Sequence, residues 1–265
     1  MLLDDVLRNF LEKYNLTKSE EPSKRYFIAA TPRCGSTLLA KLLGSLDIAG
    51  YPGEYLSEDD ILFAAASACI DFDIERYMKI LERVLQSQNG IFGIKEMYYR
   101  FIHHEKMFYL YNYIYIERRN KIEQGVSLFK LTKTGKSHSE LEEKKKLHSF
   151  DYSFDEISAC IKLLCVQNAL WWKYFRKKGI SPAIIIYEDF IHDISGTVSR
   201  ILKEVMNISD YNPENIPPPP INKQADGLSE YYYNRYIYEL KEKGNAFSKI
   251  AFSEFASYNK LEGYI

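Results

Sequence analysis

Seven residues, Thr31 to Thr37 (TPRCGST), gather the groups that can hold an oxyanion. They lie between a strand-like run, "RYFIAA", and a leucine-rich stretch, "LLAKLLGSL". A strand that turns through such a loop into a helix presents successive backbone N–H groups where the helix dipole favours phosphate or sulfate. Gly35 lets the backbone come close, and Ser36 and Thr37 add hydroxyl donors. Pro32 stiffens the entry, and Arg33 offers a planar, permanently charged fork. A plain helix start capped by Ser or Thr has the same letters, so spacing alone leaves both readings open.

The loop is poorly matched to ATP hydrolysis. GxxxxGK[ST] needs its lysine for the β- and γ-phosphates and its hydroxyl for magnesium. Here Gly35 precedes Ser36, and no later strand ends in the apolar run plus Asp that would complete the metal site. No metal is therefore expected. A cysteine phosphatase would place its arginine after the cysteine, whereas Arg33 precedes Cys34, which is expected to pack as a small residue.

A second constellation is "ERRNKIEQGVSLFK". Arg119 follows a strand-like run, Asn120 is a good N-cap, and Ser127 lies eight residues beyond Arg119, about two helical turns. An arginine and a hydroxyl at a strand-to-helix switch can hold another phosphate at the carboxyl edge of a sheet. The competing reading is a salt-bridged Arg119 and an ordinary helical Ser127.

These groups need elements to position them. "YFIAA" reads as a strand buried on both faces. Leu38, Leu39, Leu42, Leu43 and Leu46 form a helical stripe after Ser36. Further strands are expected at Ile91 to Met97, Tyr111 to Glu117 and Ala183 to Phe190. Helices are expected at Ile74 to Leu85, Lys121 to Leu131, Asp155 to Lys177 and Thr197 to Met206. That alternation predicts an α/β fold, a P-loop-like parallel sheet flanked by helices. A single domain over 1–265 is expected, with an N-terminal amphipathic helix in 1–20 and a flexible insertion at 133–150. Residues 215–265 form a C-terminal segment, in which "LSEYYYNRYIYELKEKG" is helix-compatible.

The formal net charge of -1 gives no global field for nucleic acid or an anionic membrane, so any basic site must be local. The most apolar run, Ile61 to Ile70, is too short to span a bilayer, and the start of the chain has no signal-peptide pattern. The 4 cysteines show neither CxxC nor zinc spacing, which predicts reduced thiols in a cytoplasmic protein. The 22 tyrosines are expected in packing roles.

"TPRCGSTLL" resembles the 5′-phosphosulfate-binding loop of sulfotransferases, whose donor is 3′-phosphoadenosine-5′-phosphosulfate (PAPS). With arginine in the "R-x-GSTLL" form, it resembles the bacterial trehalose 2-sulfotransferase family. That family usually has Ser where this chain has Cys34; the change removes a hydroxyl and keeps the backbone donor. The resemblance implies a sulfotransferase fold and donor contacts from Thr31, Pro32, Arg33, Cys34, Gly35, Ser36 and Thr37. It implies that Arg119 and Ser127 hold the 3′-phosphate. "GYPGEYL" resembles the family segment whose glutamate is the proposed base, implying that role for Glu54. A histidine base, His103 or His104, is the competitor. "FGIKEMY" resembles the strand that brings Lys95 to the site as charge stabiliser or acceptor ligand. "YEDF" resembles a sulfotransferase strand end, in which Glu188 and Asp189 read as structural. "NKQADGLSEYY" resembles a segment that places Gln224 and Asp226 near donor or acceptor. A small-molecule or glycolipid acceptor and a homodimer are also implied. The rival readings are a P-loop kinase of unusual loop and a non-catalytic nucleotide-binding protein.

Overall fold

The computed structural model describes residues 2–6, 9, 20–134, 148–218 and 227–243. Its described strands are β1 (Lys24–Ala30), β2 (Ile91–Met97), β3 (Asn112–Glu117) and β4 (Ala183–Ile186). They form one sheet in the order β2-β1-β3-β4, and every pairing is parallel. Its helices are α1 (Ser36–Gly44), α2 (Ile61–Ser67), α3 (Ile74–Val84) and the short α4 (Tyr98–Phe101). Then come α5 (Lys121–Thr134), α6 (Phe154–Lys178), α7 (Tyr187–His192), α8 (Ile194–Met206) and α9 (Gly227–Glu242).

Successive residues of a strand point to opposite faces, and both faces of β1 are covered. Tyr26, Ile28 and Ala30 pack with Leu39, Leu42 and Leu43 of α1 and Val198, Ile201 and Leu202 of α8. Phe27 and Ala29 face an aromatic layer that includes Phe101, Phe108, Trp171 and Phe175. This double burial is why the strands read as unbroken apolar runs rather than alternating ones. Trp171 also donates its indole N–H to the Ala30 carbonyl at 2.9 Å, which pins the end of β1 just before the Thr31 loop.

The chain divides into two compact units. The first comprises Met1–Arg119 and Gln167–Asn222, and the second Asn120–Val166 and Lys223–Ile265. The sheet lies in the first. The second has its own core of Val126, Phe129, Phe154, Ile157, Ile161, Tyr232, Tyr236 and Leu240. Two tyrosines of the C-terminal segment, Tyr232 and Tyr236, are therefore core residues, in line with the packing roles expected of the tyrosines. Asn120 caps the start of α5, accepting from the Glu123 N–H at 3.1 Å.

One expected element changes. The run expected as a strand to Phe190 leaves the sheet after Ile186, and Tyr187 opens α7. Glu188 and Asp189 fall in the first turn of that helix, where carboxylates interact favourably with the dipole. Residues 135–147 of the expected insertion, and Gln224 and Asp226, lie outside the described residues. No helix among the described residues is long and apolar enough to cross a membrane.

Candidate active site

In this sheet order β1 has neighbours on both sides, and the chain crosses from β2 past β1 to β3. Open parallel sheets bind ligands beyond the carboxyl ends of the strands at such a switch point. The loop Thr31 to Thr37 sits there. Gly35 precedes α1 with φ 93°, no side chain caps the helix, and its first turn holds no acidic residue. The reading of Ser36 or Thr37 as an ordinary cap is thereby set aside, and the first N–H groups of α1 are available to an anion. A Cβ on Gly35 would meet Tyr187 Cδ2 at 2.3 Å, so the position excludes side chains twice over, by conformation and by space. Arg33 also has a positive φ, 63°, a conformation that costs a non-glycine residue energy and collects at functional sites. Thr31, Cys34 and Ser36 are buried, whereas Pro32, Arg33 and Thr37 are half-buried. Cys34 belongs to the core between the sheet and α1. Its packing role holds, and its remaining route to a ligand is through the backbone.

The arginines beside the loop are arranged by "YED". Burial lowers the Arg33 pKa, and the like charge of Arg118 lowers it further. An anion between two such guanidinium groups would relieve their repulsion. Arg118 lies 5.0 Å over the Tyr187 ring, and its Nε is 4.0 Å from Glu188 Oε1. Glu188 Oε2 accepts the Arg119 backbone N–H at 2.9 Å. The Arg119 guanidinium donates to both oxygens of Asp189, at 3.3 and 2.9 Å. The structural reading of Glu188 and Asp189 therefore stands. Arg119 is in the salt bridge that sequence reasoning held as its alternative role, but this pair is exposed and contributes at most about 1 kcal/mol. A phosphate could displace it. Ser127 lies half-buried on α5, in the second unit.

A second cluster forms where β2 ends. Its register sets Lys95 opposite Ile28 and Glu96 opposite Ala29, two and one residues short of the strand's last pairing. The backbone N–H of Lys95 donates to Gly53 at 2.9 Å, tying the "GYPGEYL" loop to the strand. Lys95 Nζ donates to Thr37 Oγ1 at 3.1 Å and to Glu54 Oε1 at 2.5 Å. Arg100 Nη2 donates to the other oxygen of Glu54. Burial would push the Glu54 carboxyl up, but Lys95 and Arg100 outweigh it and hold it below its usual range. Two counter-charges in contact exceed the cost of partial burial. His103 is exposed and His104 half-buried. The His104 pKa is lowered by burial and then by His103. Among the described residues neither imidazole bonds to Glu54, Lys95 or the loop.

Sequence reasoning missed Arg100, Glu96, Arg118 and Tyr187. Two signals were available. Glu96 and Arg100 stand at i and i+4, and Arg118 adjoins Arg119. Their importance comes from burial, which residue types do not reveal.

The family model described as Stf0 sulphotransferase matches residues 102–239, just over half of the 265 residues. Arg119, Ser127 and Tyr187 to Asp189 fall within that match, whereas the Thr31 loop, Glu54 and Lys95 precede it. Among solved structures, the "Sulfotransferase Domain from the Curacin Biosynthetic Pathway" is similar with a TM-score of 0.50 and 17% identity. The likeness covers 80% of this chain and 83% of that one, and shows a shared fold. No curated protein matches.

Proposed function

We propose that this chain, which belongs to the Stf0 sulphotransferase family, moves the sulfuryl group of PAPS to a hydroxyl of a carbohydrate or glycolipid. The observation that carries the reading is the position of Lys95. One buried cation bonds both Thr37 of the anion-binding loop and Glu54, so the donor side and the base side meet at a single side chain.

The residues fit an anionic donor. The uncapped start of α1, the close backbone at Gly35 and the two neighbouring arginines suit a phosphosulfate. The donor, when bound, supplies the sulfuryl group and a phosphate leaving group. Arg33 and the α1 N-terminus would stabilise the charge that grows on the leaving oxygen. The spacing of Arg119 and Ser127 supports each as a 3′-phosphate ligand. Glu54 would take the proton of the acceptor hydroxyl. An anion at the loop competes for Lys95, and any loosening of Lys95 from Glu54 makes that carboxylate a stronger base. Gln224 and Asp226 are proposed near donor or acceptor on the family resemblance alone. The same resemblance supports a homodimer and a cytoplasmic setting.

The test is transfer of label from PAPS to a panel of sugars, glycolipid precursors and phenols. The reading expects a sulfated carbohydrate or glycolipid product. It fails if the panel stays unlabelled while ATP phosphorylates a member of it.

A further inference from the structure

We propose that Glu96 is a positioning residue for Glu54: by sharing Arg100 with it and holding the backbone two residues beyond it, this buried carboxylate sets how tightly Glu54 is gripped. The inference rests on the reading of Glu54 as the base. Glu96 is 0% exposed, so it touches neither donor nor acceptor. Its Oε2 accepts Arg100 Nε at 2.8 Å, and its Oε1 accepts the Leu56 N–H at 2.9 Å. The same guanidinium reaches Glu54 through Nη2 and the Tyr99 hydroxyl through Nη1 at 2.6 Å. One fork thus serves two carboxylates.

An arginine shared in this way follows the charge of its partners. When Glu96 is ionised it draws Arg100, and the hold on Glu54 slackens. When Glu96 is protonated, Arg100 belongs to Glu54 and its lone pairs are less basic. The groups facing Glu96 are Arg100 and Tyr99 from the α4 segment, Glu54 from its loop and Tyr77 from α3. Both tyrosines are pushed up by burial and stay neutral, which leaves Arg100 and Glu54 as the charged members. Burial raises the Glu96 carboxyl to about 7, against the opposing pull of Arg100 and the Leu56 N–H. The exchange of Arg100 therefore falls near neutrality, with Glu54 the stronger base on the alkaline side.

The experiment follows the glutamate carboxyl carbons by 13C NMR across pH, without donor or acceptor. Glu54 should show its own low inflection and another near 7. The neutral inflection should vanish in Glu96→Gln, which stays neutral at every pH. In sulfate transfer, kcat of the wild type should rise through neutrality, whereas Glu96→Gln should give a flat profile with donor KM changed less than about twofold. A Glu54 signal that is flat across the neutral range in the wild type overturns the inference. So does an inflection that persists in Glu96→Gln. If that variant does not fold, the wild-type titration still decides, and Arg100→Lys, which keeps the charge and loses the fork, should shrink the neutral inflection. Paired inflections without sulfate transfer to any acceptor would support the coupling and remove the base reading.

Discussion

At the scale of residues, the proposed chemistry turns on how Lys95 and Arg100 divide their charge around Glu54. Glu54→Gln should leave affinity for PAP, the desulfated donor product, nearly intact and reduce transfer by about 10²–10⁴-fold. Full activity in that variant would move the base elsewhere, with His103 and His104 next to be replaced. Lys95→Met should cost kcat roughly 10²–10³-fold if it stabilises developing charge, and a steady-state assay showing a change in KM alone would make it a binding residue. Stability should also depend on pH through Glu96. Its folded pKa is raised to about 7, so the folded state binds the extra proton and stability falls as pH rises from about 4.5 to about 7. Denaturant melts of Glu96→Gln should lack that loss. Glu54 and Lys95 were singled out by the family resemblance of their segments, whereas Arg33 and Arg119 were visible because their types and neighbours carry chemistry. Glu96 and Arg100 were not, because a charged residue at a strand end reads as surface until burial is known.

At the scale of elements, β1, the loop and α1 act as one device, built from the carboxyl end of a strand and an uncapped helix start. Gly35→Ala should weaken PAP binding and lower Tm together, since it strains a left-handed residue and pushes a methyl group into Tyr187. Unchanged calorimetric binding in that variant would detach the loop from the donor. Trp171→Phe removes the donor to Ala30 and should cost about 1–3 kcal/mol in a denaturant melt. The strands were legible because burial on both faces writes continuous apolar runs, and β2 was read to the residue. The end of β4 was misread because Tyr187 and Phe190 are β-compatible and the carboxylates between them, Glu188 and Asp189, were read as part of the strand end, whereas they fall in the first turn of α7. What stops the strand is tertiary, the pairing of Glu188 and Asp189 with the arginine turn after β3.

At the scale of the whole molecule, alternating strands and helices announced a parallel α/β sheet, and the family match and the shared fold agree with it. The strand order β2-β1-β3-β4 was not legible, because local patterning does not record which strands become neighbours. That order nonetheless decides where the proposed donor loop lies, since it puts Thr31 to Thr37 at the switch point. The division into two compact units was also hidden, because the unit boundary at Asn120 falls at a helix start rather than in a linker. The most direct test of the central claim is a thermal-shift comparison of PAP with Mg-ATP. A ligand at 100 times its dissociation constant should raise Tm by roughly 5–10 °C for a chain of this size. PAP should give that rise and Mg-ATP none; stabilisation by Mg-ATP without PAP would contradict the account.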